Sequence, residues 1–239
     1  MRFVITLLLT LATSMCADVV PNTSDDVHAV QALIEKFDTP GFVDVEYRGT
    51  IPVFVIYAEE AATYGECAVE PLIEALEEEG QVRVAAAIAL DIIGPAAIKA
   101  KPQLLVLFAS DSDRDNILAC GICRGIGSGA VELVPQLRLL LDHDNFHVQY
   151  WSCRALASIG PGAHAATEDL CRELVTGLAS VRRNAAIALG DIAPGMTLRQ
   201  LQKTMNILKV VSMSDGCHPV RVVAVEALTK ITPLNKRLK

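Results

Sequence analysis

The stretch VRRNAAIALGDIAP, residues 181–194, decides the fold. Ala185, Ala188, Leu189 and Ile192 stand three or four residues apart, so a helix puts them on one face. The same pattern occurs as VRVAAAIALDIIGP at 82–95 and VQYWSCRALASIGP at 148–161, with DNILACGICRGIGS at 115–128 as a looser copy. Their closing positions, 95, 128, 161 and 194, advance by 33 residues each time. A fifth copy, VRVVAVEALTKITP, closes at Pro233 after a step of 39. Such self-similarity marks a repeat architecture.

The columns of this repeat have a packing logic. One reads Ala86, Ala119, Ser152, Ala185, Ala224; the next Ala89, Ile122, Ala155, Ala188, Ala227. A third reads Leu90, Cys123, Leu156, Leu189, Leu228, and a fourth Ile93, Ile126, Ile159, Ile192, Ile231. Small residues let neighbouring helices approach, and Leu and Ile fill the seam. Gly followed by Pro then ends the helix, as at Gly94-Pro95 and Gly160-Pro161. A second apolar segment of helical period precedes each copy: VEPLIEALEEE, PQLLVLFAS, PQLRLLLDH and LCRELVTGL. Each repeat is therefore an A helix, a polar turn and a B helix. One pair cannot bury its apolar face alone, so the pairs must stack. The spacing predicts B helices over about 81–93, 114–126, 146–159, 180–192 and 218–231.

An A helix, a turn with Asp, then V-R-x-x-A-A-x-A-L-x-x-I-G resembles a HEAT repeat, in the short form also seen in phycobilin-lyase-like proteins. The resemblance covers residues 66–233 in five copies and implies an all-α superhelix, a HEAT-like solenoid. It is nearly silent on activity, because such repeats host scaffolds, adaptors and a few enzymes. The second copy departs from the pattern, with Asp115-Asn116 in place of Val-Arg and four glycines, Gly121, Gly125, Gly127 and Gly129, thinning its B helix.

Residues 24–65 read as an atypical N-terminal cap. Ser24-Asp25-Asp26 starts a helix carrying Val27, Val30, Leu33, Ile34 and Phe37 on one side. Residues 39–52, with Asp38-Thr39-Pro40-Gly41 and Tyr47-Arg48-Gly49, read as a loop, and a second helix runs from Pro52 to Tyr64. Residues 234–239 read as a short basic tail.

The first residues, MRFVITLLLTLATSMCAD, carry a positive Arg2, an apolar run from Phe3 to Ala12 and small residues up to Ala17. They read as a signal peptide over residues 1–17, predicting export to the periplasm or beyond from a bacterial cell. The run is shorter than the ~20 residues a membrane span needs, so no further membrane insertion is expected. An uncleaved apolar helix is the bland alternative. Lipid attachment through Cys16 is disfavoured, because Met15 is large where a small residue is usual.

In 239 residues, 51% hydrophobic content and 21% charged residues exclude disorder and supply a sizeable core. The net charge of −7 argues against nucleic acid, which needs clustered positive charge. Of seven cysteines, Cys120 and Cys153 share a column with Ala87 and Ala186, and Cys123 takes a Leu position, so they read as small core hydrophobes rather than a disulfide or redox pair. The Asp111–Asp115 and Asp142–His147 stretches read as helix-capping turns, lacking the glycine and closing glutamate of a calcium loop. No nucleophile elbow, zinc-protease helix or phosphate loop occurs, so no catalytic residue, metal or cofactor is assigned.

What remains is surface. Two further rows of the B helices lie between the buried columns and read as outward: Ala85, Leu118, Trp151, Asn184, Val223, and Val84, Ile117, Tyr150, Arg183, Val222. The single tryptophan thus falls beside Tyr150, with His147 and Arg154 on the same helix and Arg183 one repeat later. Trp, Tyr and Arg are the usual anchors of protein interfaces. His147, Tyr150, Trp151, Arg154 and Arg183 are accordingly the candidate protein-binding residues, on the concave side that B helices line. Packing of Trp151 into the space left by Gly121 is the competing reading. The sequence thus points to an exported, non-catalytic scaffold that holds a protein or peptide partner. A chromophore-handling protein of the phycobilin-lyase kind is the alternative, with the signal segment against it.

Overall fold

A computed structural model describes residues 24–45 and 49–237. The signal segment, with Arg2, Cys16 and Ala17, lies outside the described residues. The chain divides into two compact units with the boundary between Ala89 and Leu90.

The first unit starts with α1 (Ser24–Ile34), which buries Val30 and Leu33, with Phe37 buried just beyond it. A two-stranded antiparallel hairpin follows, β1 (Phe42–Val45) on β2 (Gly49–Pro52), with Phe42 opposite Pro52 and Val43 opposite Ile51. This corrects the expected loop over 39–52. The β-branched residues Val43, Thr50 and Ile51 favour extended backbone, and Pro52 sits at the strand end where its missing N–H costs no ladder bond. Next come α2 (Val53–Ala62), which buries Ala58, Ala61 and Ala62, and α3 (Val69–Ala75). The unit closes within α4 (Gly80–Ile93), the first B helix.

The second unit holds the remaining pairs. A helices α5 (Lys101–Phe108), α7 (Val134–Leu140), α9 (Thr167–Thr176) and α11 (Leu198–Ser214) alternate with B helices α6 (Asp113–Ile126), α8 (Phe146–Ile159), α10 (Ala179–Ile192) and α12 (His218–Arg237). Each A helix packs on the B helix that follows it, and α6, α8, α10 and α12 pack side by side. The expected B-helix ranges match these bounds to within a residue, except at the end of α12. That helix continues through Pro233 to Arg237, so residues 234–237 extend it rather than forming a separate tail.

The columns are the core. Ala119, Ser152, Ala185 and Ala224 are fully buried, as are Ile122, Ala155 and Ala188, and Cys123, Leu156 and Leu189. Leu228 is only half-buried, at the last helix, where no further repeat covers it among the described residues. Ser152 stands in an alanine column because its hydroxyl donates to the Leu137 carbonyl at 2.6 Å. Asp113–Leu140 and Gly80–Phe108 are long and apolar enough to cross a membrane by length and composition; in the former, Ile122, Cys123, Ile126 and Leu137 are buried in the repeat core.

The closing glycine does more than stop a helix. Gly94, Gly127 and Gly160 take φ of 78°, 65° and 69°, in the left-handed region open to glycine. The seven residues starting at each coil as a tighter 3-10 helix before the next A helix begins. The glycines of the second copy do not disrupt α6, which runs unbroken. Gly125 is there for contact: a Cβ on it would stand 2.2 Å from the Asp91 carbonyl oxygen. The longer final step is absorbed in α11, 17 residues long, opened by a capping box between Thr197 and Gln200.

Ion pairs sew each repeat to the next. Arg138 reaches Asp169, Arg172 reaches Asp142, Lys203 meets Glu168 and Lys101 meets Glu132 on the A side. On the B side Arg124 meets Asp91, Arg182 meets Asp215 and Lys230 meets Asp191. The partners stand 30–39 residues apart, the repeat period read sideways. Two of the turn aspartates, Asp113 and Asp142, join this lattice instead of capping as expected. Ser112 and Asn145 provide the helix caps, while Asp113 receives Asn145 Nδ2 at 2.6 Å.

Candidate protein-docking face

The candidate residues sit on the sides of α8 and α10 away from the buried columns. Starting α8 at Asn145 sets the register: Val148, Ser152, Ala155 and Leu156 turn inward, leaving His147, Tyr150 and Arg154 on the other side. Tyr150, Trp151 and Arg154 come together. The Tyr150 and Trp151 rings meet edge to face, 5.8 Å between centroids and 81° between planes. The Arg154 guanidinium lies 4.7 Å from the Trp151 ring centroid and 5.7 Å from that of Tyr150. A cation over an aromatic face is held by the ring quadrupole while its N–H groups stay free to bond elsewhere.

The other two candidates do not join that cluster. His147 is exposed and lies against Phe146, with ring centroids 4.0 Å apart. Arg183 is exposed on the neighbouring B helix, in the Tyr150 row. The two rows expected to point outward behave differently. In the Tyr150 row, Ile117, Tyr150, Arg183 and Val222 are half-buried or exposed. In the Trp151 row, Asn184 and Val223 are buried, so that row turns toward the seam between helices. Trp151 is half-buried within it, with the Arg154 guanidinium over its ring.

Two residues that the sequence reading passed over complete the site. Asp91 and Arg124 occupy equivalent positions one repeat apart and are ion-paired. Burial raises the Asp91 carboxyl above its ordinary range, opposed by Arg124, by Arg154 and by the Gly125 backbone amide. Arg154 therefore faces a carboxylate that Arg124 already holds. Opposite charges in one column, 33 residues apart, were the available signal.

The cysteines lie elsewhere. Cys120, Cys123 and Cys153 are buried and unpaired, and burial pushes all three thiols up, Cys123 to about 12. Such thiols are poor nucleophiles and metal ligands. Among the described residues no three His, Cys, Asp or Glu side chains gather as metal ligands. A shallow apolar depression of about 430 Å³ on α12, lined by Val225, Leu228, Thr229, Thr232 and Pro233, offers no titratable side chain.

No family model matches the chain. No curated protein matches it in sequence. Solved structures do match it in fold. The archaeal HEAT-like repeats protein from Thermococcus onnurineus NA1 is 13% identical with a TM-score of 0.54, covering 96% of this chain and 89% of that one. A designed armadillo repeat protein is 18% identical with a TM-score of 0.55, covering 89% and 96%. Kap121p is 14% identical with a TM-score of 0.60, covering 90% of this chain and 26% of its own length. The chain thus has the all-α superhelical fold of HEAT-like repeat proteins.

Proposed function

We propose that this chain is a non-catalytic scaffold that holds a protein partner on the outward face of its B helices, around Tyr150, Trp151 and Arg154. The observation that carries this is the stacked Arg154. Seven cationic side chains form ion pairs between repeats, whereas Arg154 rests on two rings with no ion pair among the described residues. Amphipathic rings beside an accessible guanidinium are what interface anchors are made of. The likeness to repeat proteins supports a binding role, since stacked repeats present extended surfaces of this kind. We further propose export, with cleavage after Ala17, on the strength of the N-terminal segment alone.

A photo-crosslinking residue at position 150 tests the docking face, with position 139 on the A side as control. Capture of one protein from 150 but not from 139 is the expected result. Equal capture from both, or from 139 alone, would move the interface to the A helices. N-terminal sequencing of the secreted chain should begin at Asp18, and a retained Met1 would remove the export reading.

A further inference from the structure

We infer that the partner segment is acidic: an extended peptide whose carboxylates, about three residues apart, bridge Arg154 and Arg183 across neighbouring B helices. This rests on the docking reading above and adds the chemistry of the occupant. Charge is the argument. The chain is acidic overall, at −7, yet cations collect on this face. His147, Arg154 and Arg183 lie on α8 and α10, and the exposed Arg114 occupies the His147 row one repeat earlier. None of the three arginines makes an ion pair among the described residues. Several of the acidic groups nearby are committed: Asp91 to Arg124, Asp191 to Lys230 and Asp113 to Asn145 and His143; Asp111 and Asp144 are exposed in the turns before α6 and α8. Glu226, exposed in the Arg154 row two B helices on, bounds the patch on the α12 side.

Geometry sets the spacing. Packed helix axes lie ~8–10 Å apart, and a chain in the extended polyproline II form advances ~3.1 Å per residue and brings every third side chain back to the same side. A peptide crossing α8 and α10 therefore meets Arg154 and Arg183 with carboxylates about three residues apart. An apolar side chain between them flanks the Tyr150 and Trp151 rings. Each arginine offers a fork of donors that matches a carboxylate. Nucleic acid is the weaker occupant. Nucleic-acid affinity comes from neutralising several phosphates at once, and the net negative surface repels a polyanion.

Trp151 is the only tryptophan, so its emission reports the site directly. The probes are a Glu-Ser-Leu repeat peptide, its Gln-Ser-Leu counterpart and a dT oligonucleotide, each titrated into the full chain. The acidic peptide should shift Trp151 emission with an affinity that falls as salt rises, and the Gln peptide should not. Arg154→Gln and Arg183→Gln should each weaken binding about tenfold, the loss of one charge-assisted contact, with unchanged circular dichroism melting. Equal binding of the Gln peptide, indifference to both substitutions, or tighter binding of the oligonucleotide would each overturn the inference. Selection from a random peptide library separates the two levels of the argument. Binders enriched in Asp and Glu that need Arg154 support the acidic occupant. Binders that need Tyr150 or Trp151 but carry no acidic bias overturn it while keeping the docking face. Binders indifferent to Tyr150→Ala and Arg154→Gln overturn both.

Discussion

The inner and outer sides of the same four B helices obey different rules. Inside, α6, α8, α10 and α12 repeat one another almost residue for residue: Ala119, Ser152, Ala185 and Ala224 fill one column, all fully buried. Outside, the equivalent row runs Ile117, Tyr150, Arg183, Val222, and no two residues agree. The inner side is constrained by a neighbour of fixed shape, since every helix must pack on a copy of itself. The outer side has no such neighbour, and side-chain identity there is free to serve a partner. Periodicity therefore marks packing, and its breakdown on the outer side marks the candidate site.

The closest approach between helices should be the costliest place to intrude. Gly125→Leu places a side chain where the Asp91 backbone stands, 2.2 Å from the position of a Cβ. Neither helix backbone can yield without opening the seam, so about 3 kcal/mol of stability should be lost. For a chain of this size that lowers the melting temperature by roughly 6–12 °C. A variant that melts with the parent would place Gly125 on the wrong side of the helix.

The alanine column is less tight and should respond less. Ala185→Leu overpacks a fully buried position at about 2 kcal/mol, whereas Arg183→Leu, two residues away on the outer side, should change the melting temperature little. Equal effects at 183 and 185 would abolish the distinction between the two sides.

That distinction was largely legible in the sequence, and the failures have physical causes. Ala185 and Ile192 announced their burial because packing recurs every 33 residues and so leaves a pattern. The hairpin of Val43 and Ile51 was missed because it occurs once, outside the repeat, beside Pro40-Gly41 and Gly49, which signal loops equally well. Gly125 was misread as a weakness because a sequence shows a missing side chain but not the backbone pressed against it. Trp151 was placed in the right neighbourhood, but how far its row turns toward the seam depends on the stagger of adjacent helices, which spacing alone does not encode. The Asp91–Arg124 pair is legible in principle, as opposite charges one period apart, but a charged column leaves no apolar periodicity to mark it.

Glu173 breaks the rule on the inner side. Glu173 of α9 is buried, with Arg172 Nε 3.6 Å away and Asp142 and Asp169 nearby. Burial raises its carboxyl above the ordinary glutamate range, with Arg172 opposing. The folded chain thus holds this proton more tightly than the unfolded chain. Its contribution to stability falls as pH rises from the ordinary value through the raised one, and is level above. Glu173→Gln should stabilise the protein at neutral pH by up to about 1 kcal/mol. The advantage should vanish on acidification below the ordinary glutamate range. Thermal melts of both chains across that range check the sign; destabilisation at neutral pH would mean that the pair with Arg172 outweighs burial.

The smallest effect is expected where the outer side is most distinctive. Arg154→Ala removes a guanidinium stacked on Trp151 and Tyr150, a contact worth about 0.5–1 kcal/mol at a partly exposed site. The further loss at Asp91 is small, because its ion pair is made by Arg124 and not by Arg154. The two arginines face one carboxylate but differ in commitment, and they can be compared directly. Arg124→Ala leaves the Asp91 carboxylate without its ion pair in a site that already disfavours its charge, so its cost should exceed that of Arg154→Ala severalfold. Trp151 emission separates them again. Removing Arg154 uncovers the indole face and should increase quenching by acrylamide, while removing Arg124 should leave it nearly unchanged. If Arg154→Ala proves as destabilising as Arg124→Ala, Arg154 is part of the packing lattice, and the outer side of α8 loses its one uncommitted anchor.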